Sequence, residues 1–216
     1  MKQRIKRIIY SIPLFGDAVK AWSAKRFQRS QIREWEAQGR PPPPPHGVKQ
    51  RILRGYAKKY GLRVLVETGT YMGDMIEALK REFDEVYSIE LSRELHENAK
   101  RRFEGDRHVT LLCGDSAIEL EKLVKRIDRP ALFWLDGHYS SGVTAKADKE
   151  TPIMEELNHL LAAPDLGHVI LIDDARSFGS FKDYPTIEEV RTLVMSKRDN
   201  VDFAVETDII RIVPKA

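Results

Sequence analysis

Five short apolar runs, each followed by a helix-forming pattern, constrain the fold more than any other feature of this chain. The runs are residues 63–67, 85–90, 108–113, 131–136 and 168–173. Such alternation predicts parallel strands that are covered by helices on both faces. Two further runs, 202–206 and 209–213, are separated only by Thr207 and Asp208, which predicts an antiparallel hairpin. The predicted class is α/β, a doubly wound, mostly parallel seven-stranded sheet with an antiparallel C-terminal hairpin.

Helix starts are marked by capping-box spacings and by one proline. A Ser, Thr or Asp followed three residues later by Glu suits a helix N-terminus, and so does proline at the first helical position. The predicted starts are Asp74 with Glu77, Ser116 with Glu119, Thr186 with Glu189, and Thr151 followed by Pro152.

Five consecutive prolines, residues 41–45, divide the chain. Proline neither continues a helix nor donates a backbone hydrogen bond, so the run predicts a stiff spacer. We therefore predict an N-terminal extension over 1–40, a linker over 41–47 and a catalytic domain over 48–216. The extension holds ten Lys or Arg and three acidic residues. Its isoleucines alternate with basic residues, a pattern that suits an amphipathic helix on an anionic membrane or a partner and equally a helix docked on its own core or a solvated tail.

Compartment signals are few. No apolar run reaches the roughly 18 residues that span a bilayer, and the N-terminus has no signal-peptide pattern. The single cysteine, Cys113, forms no internal disulfide and is predicted to be a buried strand residue. These features favour a reducing, cytoplasmic location, with peripheral membrane contact through residues 1–40 and homo-oligomerisation left open.

The first strand runs directly into the turn Glu67-Thr68-Gly69-Thr70-Tyr71-Met72-Gly73-Asp74. Glycine is needed where the backbone has positive φ or where a ligand approaches the main chain. The turn lies after the first strand, and ligands of open α/β sheets bind at the carboxyl ends of strands.

Residues 64–74 resemble the first motif of class I S-adenosylmethionine-dependent methyltransferases, which have a Rossmann-like sheet, and the similarity covers about residues 64–213. The resemblance implies that S-adenosylmethionine is bound by the first turn, through Glu67, Gly69, Thr70 and Gly73. It further implies that Glu90 binds the ribose of the cofactor and that Asp115 and Ser116 contact its adenine. Asp136 is also an implied cofactor residue.

Each of these residues also has a structural explanation. Glu90 suits an ordinary strand end, and Asp74 and Ser116 suit helix N-caps. NAD is disfavoured as the ligand because the turn lacks G-x-G-x-x-G, and because Glu67 suits an ammonium or sulfonium better than a pyrophosphate.

Three carboxylates follow the fourth and fifth strands: Asp136, Asp173 and Asp174. They are expected at one sheet edge, where each like-charged pair about 4 Å apart costs roughly 4 kcal/mol at an effective dielectric near 20. Such a cluster either holds a proton or binds a cation, and oxygen ligands favour Mg²⁺. A turn or N-cap after the strand is the alternative for Asp173 and Asp174.

The arrangement is similar to that of metal-dependent O-methyltransferases of the catechol and macrolide-sugar types. The resemblance implies a magnesium ion on Asp136, Asp173 and Asp174 that activates the acceptor hydroxyl. Asp136 and His138 are the implied catalytic residues, with His138 as general base. The lysine of the catechol pattern is absent, and a pocket histidine is the alternative for His138. Residues 140–150 suit a loop over the acceptor, and aromatic candidates for its pocket are Phe178, Phe181 and Tyr184.

The leading prediction is methyl transfer from S-adenosylmethionine to a hydroxyl of a small acceptor, a sugar or a phenol, with magnesium. Two alternatives remain: a metal-independent methyltransferase acting on nitrogen or nucleic acid, and an inactive methyltransferase fold that serves as a binding module. The acidic balance outside residues 1–40 argues against a nucleic-acid partner.

Overall fold

The structure, a computed structural model, describes residues 13–137, 151–181 and 183–215. The chain divides into two compact units between Lys49 and Gln50. In the first unit, helix α1 (Pro13–Ala37) precedes the proline run, and the indole of Trp35 donates to the carbonyl of Pro41 at 2.7 Å. The predicted division into an extension (1–40), a linker (41–47) and a catalytic domain (48–216) stays a prediction.

None of the helices in the described ranges has the length and apolar character that crossing a bilayer requires.

The remaining elements alternate as the sequence predicts. Helix α2 (His46–Tyr60) leads into the strands, whose bounds are β1 Val64–Thr68, β2 Glu85–Glu90, β3 Val109–Cys113, β4 Ala131–Leu135, β5 Val169–Ile172, β6 Val201–Glu206 and β7 Ile209–Pro214. The intervening helices are α3 Asp74–Leu79, α4 Arg93–Arg102, α5 Ser116–Val124, α6 Ile153–Ala162 and α7 Ile187–Lys197, with single 3₁₀ turns at Lys80–Glu82 and Ala175–Ser177.

The seven strands form one sheet in the order β3-β2-β1-β4-β5-β7-β6. Strands β1 to β5 pair in parallel, and β7 is antiparallel to both β5 and β6. The predicted mostly parallel sheet with an antiparallel C-terminal hairpin is therefore confirmed. Because the first five strands are parallel, the turns after β1 to β5 all lie at one edge of the sheet.

Apolar side chains cover both faces of the sheet. Every residue of β1, β4 and β5 is buried. Along β1, Val64 and Val66 join one apolar cluster, and Leu65 joins the other. Alternate residues of a strand point to opposite faces, so the central strands are nearly all apolar because both faces are covered.

The β6–β7 turn is tied to the segment after β5. Thr207 and Asp208 have φ of 55° and 61°, the positive values of a two-residue hairpin turn. The Asp208 carboxylate accepts from the backbone N–H of Arg176 at 2.8 Å and pairs with the Arg176 guanidinium. The C-terminal hairpin thereby fixes the chain directly after β5, at the functional edge of the sheet.

The glycines after β1 are required by the protein's own packing. Gly69 has φ 83°, and a Cβ there would lie 2.5 Å from the carbonyl oxygen of Asp136. Gly73 has φ 76°, and a Cβ there would lie 2.7 Å from Cε2 of Phe103. Glycine is therefore required at both positions by the left-handed backbone and by close contact with protein atoms. These two constraints explain the glycines without a ligand.

Three of the predicted helix starts are shifted by one residue. The N-cap of α3 is Gly73, and the Asp74 carboxylate pairs with Arg102 at 2.7 Å. The N-cap of α5 is Asp115, whose Oδ1 accepts from Ala117 N–H at 2.8 Å, so Ser116 is not the cap. Helix α6 begins at Ile153, directly after Pro152. Several polar residues stand at each turn, and the exit angle of the strand decides which one reaches an N–H group.

Cys113 was predicted to be buried and is exposed. It ends β3, which is an outer strand of the sheet, and only alternate positions of an outer strand are covered. The sequence does not give the spatial order of the strands, so the outer position of β3 was not predictable from it.

The capping box of α7 provides a test of local stability. Thr186 Oγ1 accepts from Glu189 N–H at 3.1 Å, and Glu189 Oε2 accepts from Thr186 N–H at 2.7 Å. We expect Thr186→Ala to lower the free energy of unfolding by about 1 kcal/mol, because one N–H loses its partner. Thr192→Ala, within the exposed part of the same helix, is the control and should change stability by less than about 0.5 kcal/mol in urea titrations. Equal losses would contradict the capping role.

Gly69 and Gly61 form a matched pair for a second test. Both have positive φ, but a Cβ on Gly61 would meet no atom within 4 Å. Gly61→Ala should cost about 1 kcal/mol from backbone strain alone. Gly69→Ala should cost roughly 1 to 3 kcal/mol more, because its Cβ meets the Asp136 carbonyl. Chemical denaturation of both variants measures the difference, and a difference near zero would show that the turn yields without cost.

Candidate active site

A buried carboxylate lies at the end of the central strand. Glu67, next to last in β1, is 2% exposed and is paired in register with Ser88 on β2. Its Oε2 accepts a hydrogen bond from Ser88 Oγ at 2.6 Å, and Ser88 Oγ lies 2.6 Å from Thr70 Oγ1. Thr70 is buried as well. The strand end and the turn after it thus share one hydrogen-bonded polar network.

Burial dominates the chemistry of this carboxyl group. Desolvation raises the pKa of Glu67 to about 8, the Ser88 hydrogen bond opposes the rise, and the negative charges of Asp136 and Glu90 add to it. Loss of hydration disfavours the charged form of an acid, and nearby like charges do the same. Glu67 is therefore mainly protonated at neutral pH in the protein alone.

Glu90 connects the turn after β1 to the turn after β2. It is buried at the end of β2, where Oε2 accepts from Tyr71 N–H and Oε1 accepts from Ser92 N–H, both at 2.8 Å. Each carboxylate oxygen has a second lone pair. The carboxylate is thereby fixed in position while it keeps acceptor capacity for further donors.

Asp115 and Ser116 stand at the next turn along the edge. Gly114 N–H donates to the carbonyl of Glu90 at 2.9 Å, which joins the turns after β2 and β3. Asp115 is partly exposed and Ser116 is buried. Of the predicted cofactor residues, Glu67, Thr70 and Glu90 are linked through hydrogen bonds or charge, and Asp115 and Ser116 follow in the adjoining turn.

Large apolar side chains are exposed at or just after the turns that follow β1 to β3, and they are not among the residues predicted from the sequence. They are Tyr71, Met72, Leu91 and Ile118, with exposed fractions between 36% and 55%. Exposed apolar groups beside buried acids are typical of the wall of a ligand site. Their signal in the sequence is adjacency, since each lies within three residues of a predicted site residue.

Ser88 is a second residue that the sequence analysis missed. It is fully buried on the strand that ends in Glu90. A serine two positions before a strand-end acid faces the same side of the sheet, and this spacing is the signal that could have identified it.

Asp136 lies beside the Glu67 network. Its N–H donates to the carbonyl of Thr68 at 3.1 Å, and its side chain is partly exposed. The next residue, Gly137, is tightly packed: a Cβ there would lie 3.1 Å from Thr68 Oγ1 and 3.4 Å from Glu156 Oε1. Glu156, 1% exposed on α6, is therefore a buried carboxylate next to the segment after β4, and the sequence analysis did not select it.

Asp173 and Asp174 are engaged by the protein itself. Asp173 is fully buried, and its Oδ1 accepts from Asp174 N–H at 2.8 Å. Asp174 has φ 54°, and its carboxylate pairs with the Arg176 guanidinium at 2.8 Å. Across residues 13–137, 151–181 and 183–215, no three His, Cys, Asp or Glu side chains form a group that could hold a metal ion. Among the described residues, Asp174 is paired with Arg176 and is not grouped with Asp136 and Asp173 as the predicted magnesium site requires.

The remaining predicted residues lie in different settings. His138 and the loop 140–150 are outside the described residues, so their roles stay predictions. Phe178 is buried in the core and packs edge-on against Tyr184 at 5.5 Å between centroids. Phe181 is 57% exposed. Of the three aromatic candidates for the acceptor pocket, Phe178 therefore belongs to the core.

No protein-family model matches this chain, and no curated protein matches it in sequence. Solved structures match it in fold. O-methyltransferase TomG from Streptomyces achromogenes, in complex with S-adenosylmethionine, aligns with a TM-score of 0.57 and 18% identity over 88% of this chain and 89% of that chain.

Two further structures agree with this result. The O-methyltransferase from Bacillus cereus, in complex with S-adenosylhomocysteine, has a TM-score of 0.57 and 17% identity over 86% of this chain and 90% of its own. The S-adenosylhomocysteine-bound methyltransferase PaMTH1 from Podospora anserina has a TM-score of 0.55 and 16% identity over 95% of this chain and 97% of its own. The resemblance predicted from the first turn and the strand-end acids is thus confirmed at the level of structure, and the chain has the class I methyltransferase fold.

Proposed function

We propose that this protein transfers a methyl group from S-adenosylmethionine to a hydroxyl group of a small acceptor, a sugar or a phenol. The observation that carries the proposal is the buried Glu67 at the end of the central strand, held by Ser88 and adjoined by Glu90 and Asp136. A cation placed beside three acids relieves their mutual repulsion. The amino acid half of S-adenosylmethionine, with its ammonium and sulfonium groups, has the required charge.

The neighbouring turns suit the nucleoside half of the same molecule. Glu90 is fixed by two backbone N–H groups and keeps lone pairs for ribose hydroxyls. The exposed side chains of Leu91 and Ile118 stand beside Glu90 and Asp115, where they offer apolar contact to a flat base. When bound, S-adenosylmethionine supplies an electrophilic methyl group on a sulfonium centre.

Transfer to oxygen is supported by the solved O-methyltransferases that share the fold. Asp136, partly exposed beside Glu67, is the described residue that we assign to orienting the acceptor hydroxyl and attracting its proton. His138 remains the predicted base. Magnesium has no part in the proposed transfer, because the carboxylate of Asp174 is paired with the Arg176 guanidinium.

Two other functions are less well supported. A nucleic-acid acceptor is disfavoured because residues 64–216 hold thirty acidic residues against twenty Lys or Arg, which repels a polyanion. An inactive binding module is disfavoured because Asp136, partly exposed beside Glu67, gives the site a group that can attract the proton of an acceptor.

Cofactor binding should depend on pH through Glu67. Below pH 8 this group is mainly protonated, and a cationic ligand favours the ionised form, so binding must expel a proton. Affinity for S-adenosylmethionine should therefore rise with pH, by up to about tenfold per unit below pH 8, and level off above it. Isothermal titration calorimetry across pH 6 to 9 measures the slope.

Glu67→Gln is the matched control for this titration. Glutamine keeps an oxygen that accepts from Ser88 but has no proton to lose. The ammonium group of the ligand titrates with either protein. The contribution of Glu67 is therefore the difference between wild type and Glu67→Gln in the slope of affinity against pH. Equal slopes would remove Glu67 from the cofactor site, and no binding by the wild-type protein would refute the proposed function.

Removal of the Asp136 charge should affect transfer more than cofactor binding. We expect Asp136→Asn to lower kcat by about 10²- to 10⁴-fold, the usual contribution of a group that handles the proton. Transfer of radiolabelled methyl to a panel of sugar and phenol hydroxyls is the assay, with S-adenosylhomocysteine affinity measured in parallel. Asp128→Asn, an exposed acid before β4, is the control and should leave kcat unchanged.

The same assay tests the acceptor chemistry. The wild-type rate is expected to survive dialysis against EDTA, because Arg176 holds Asp174. A rate that is lost with EDTA and restored by magnesium would return the three carboxylates to the metal role predicted from the sequence. An unchanged rate in Asp136→Asn would refute the role of Asp136.

A further inference from the structure

Charge is divided unevenly along this chain, and the division does not fall at the proline run. Residues 1–63 hold sixteen Lys or Arg and three acidic residues, whereas residues 64–216 hold twenty Lys or Arg and thirty acidic residues. No acidic residue occurs between Glu36 and Glu67. The basic region therefore continues past the prolines through all of α2.

Helix α1 presents part of this charge on one side, the α1 basic face (Arg26, Arg29 and Arg33). The three arginines recur at spacings of three and four residues, which places them on one side of a helix, and all three are exposed. The buried Trp35 lies two and a half turns after Arg26 and therefore on the opposite side. Phe27, beside Arg26, is 64% exposed.

Helix α2 has a second such surface, the α2 basic face (Arg51, Lys58 and Lys59). All three side chains are exposed, and Leu53 and Ala57 on the other side are buried in the apolar core. Gly55 lies between Arg51 and Lys59 at four-residue spacing, and the space around its Cα is open. The face is thus cationic at its ends and flat at its centre, which suits contact with an extended surface.

The partner that these faces fit is an anionic membrane and not a nucleic acid. Residues 1–12 combine the isoleucines 5, 8, 9 and 12 with four Lys or Arg, and exposed Phe27 adds an aromatic group among arginines. Basic residues together with apolar ones are what an anionic bilayer interface binds. A long polyanion would also meet the acidic remainder of the chain, which repels it.

The aromatic residues near the α2 basic face are used within the fold. Tyr60 donates to the carbonyl of Pro214 at 3.4 Å, and the Arg211 guanidinium lies 5.7 Å from the centroid of Tyr56. Their rings therefore serve packing on β7 and are not free for the base stacking that single-stranded nucleic acids require.

We propose that the α1 and α2 basic faces dock this protein on an anionic phospholipid surface. Attraction of this kind adds up over basic residues near the bilayer and needs no fixed arrangement of the two helices. The inference goes beyond the proposed methyl transfer and does not depend on it.

Co-sedimentation of the full chain with vesicles tests the docking. We expect binding to phosphatidylcholine vesicles that contain about one third phosphatidylserine, weaker binding to pure phosphatidylcholine, and release at about 0.5 M salt. The test variant combines Arg29→Ala, Arg33→Ala, Lys58→Ala and Lys59→Ala. Each basic residue near the surface contributes about fivefold, so its partition coefficient should fall by more than about tenfold.

The matched control removes the same charge from the acidic part of the chain. It combines Lys100→Ala and Arg101→Ala on α4 with Lys122→Ala on α5 and Lys125→Ala directly after it, all exposed. This variant should change partition by less than about twofold. Circular dichroism verifies that both variants fold. Equal losses in the two variants, or equal binding to both kinds of vesicle, would overturn the proposal. Binding to a single-stranded oligonucleotide without binding to vesicles would also overturn it.

Discussion

Parallel pairing of β1 with β2 and β4 is the constraint on which the rest of the structure depends. It aligns Glu67 with Ser88 on one side and Trp134 on the other. Together with the parallel pairing of β3 and β5, it brings the turns after five strands to one edge. Backbone hydrogen bonds continue beyond the strands, since Gly69 donates to the carbonyl of Ile89 and Asp136 to that of Thr68. The site is therefore built on the rigid end of a sheet.

The cost of this arrangement is concentrated in one carboxyl group. Glu67 is buried, its Oε2 accepts a short hydrogen bond from Ser88 Oγ, and the acids Asp136 and Glu90 stand near it. A buried acid in this position is stable as the neutral form and becomes favourable as an anion when a cation arrives. The burial that disfavours the ionised form of Glu67 in the protein alone is the physical basis of the proposed selectivity for a positively charged ligand.

The neighbouring acids have different environments, and this decides their roles. Glu90 is held by backbone N–H groups, Asp115 caps a helix, and Asp174 is paired with an arginine that also reaches the β6–β7 turn. Among the acids that the structure describes at this edge, Asp136 is the one that combines partial exposure with nearness to Glu67. Residue type alone would give Asp136 and Asp174 the same chemistry.

Most of the fold was predictable from the residues, and so were the acids at the first two strand ends. The alternation of apolar runs, the β6–β7 spacing and the Thr186 capping box depend on interactions between residues close in sequence. The exposed Cys113, the buried Ser88 and Glu156, and the one-residue shifts at Asp115 and Pro152 were not predictable in the same way. They follow from strand order and strand exit angle, which are properties of the assembled sheet.

By itself, the sequence determined the seven strands, the turn after β1 and the division of charge between the first 63 residues and the rest, because each is a property of local pattern or composition. Only the tertiary structure decided that Gly69 and Gly73 are required by contacts with Asp136 and Phe103. It also decided that Asp208 in the β6–β7 turn binds Arg176, whose guanidinium pairs with Asp174, one of the three carboxylates predicted to bind magnesium. Both depend on segments distant in sequence meeting in space, which no local pattern encodes.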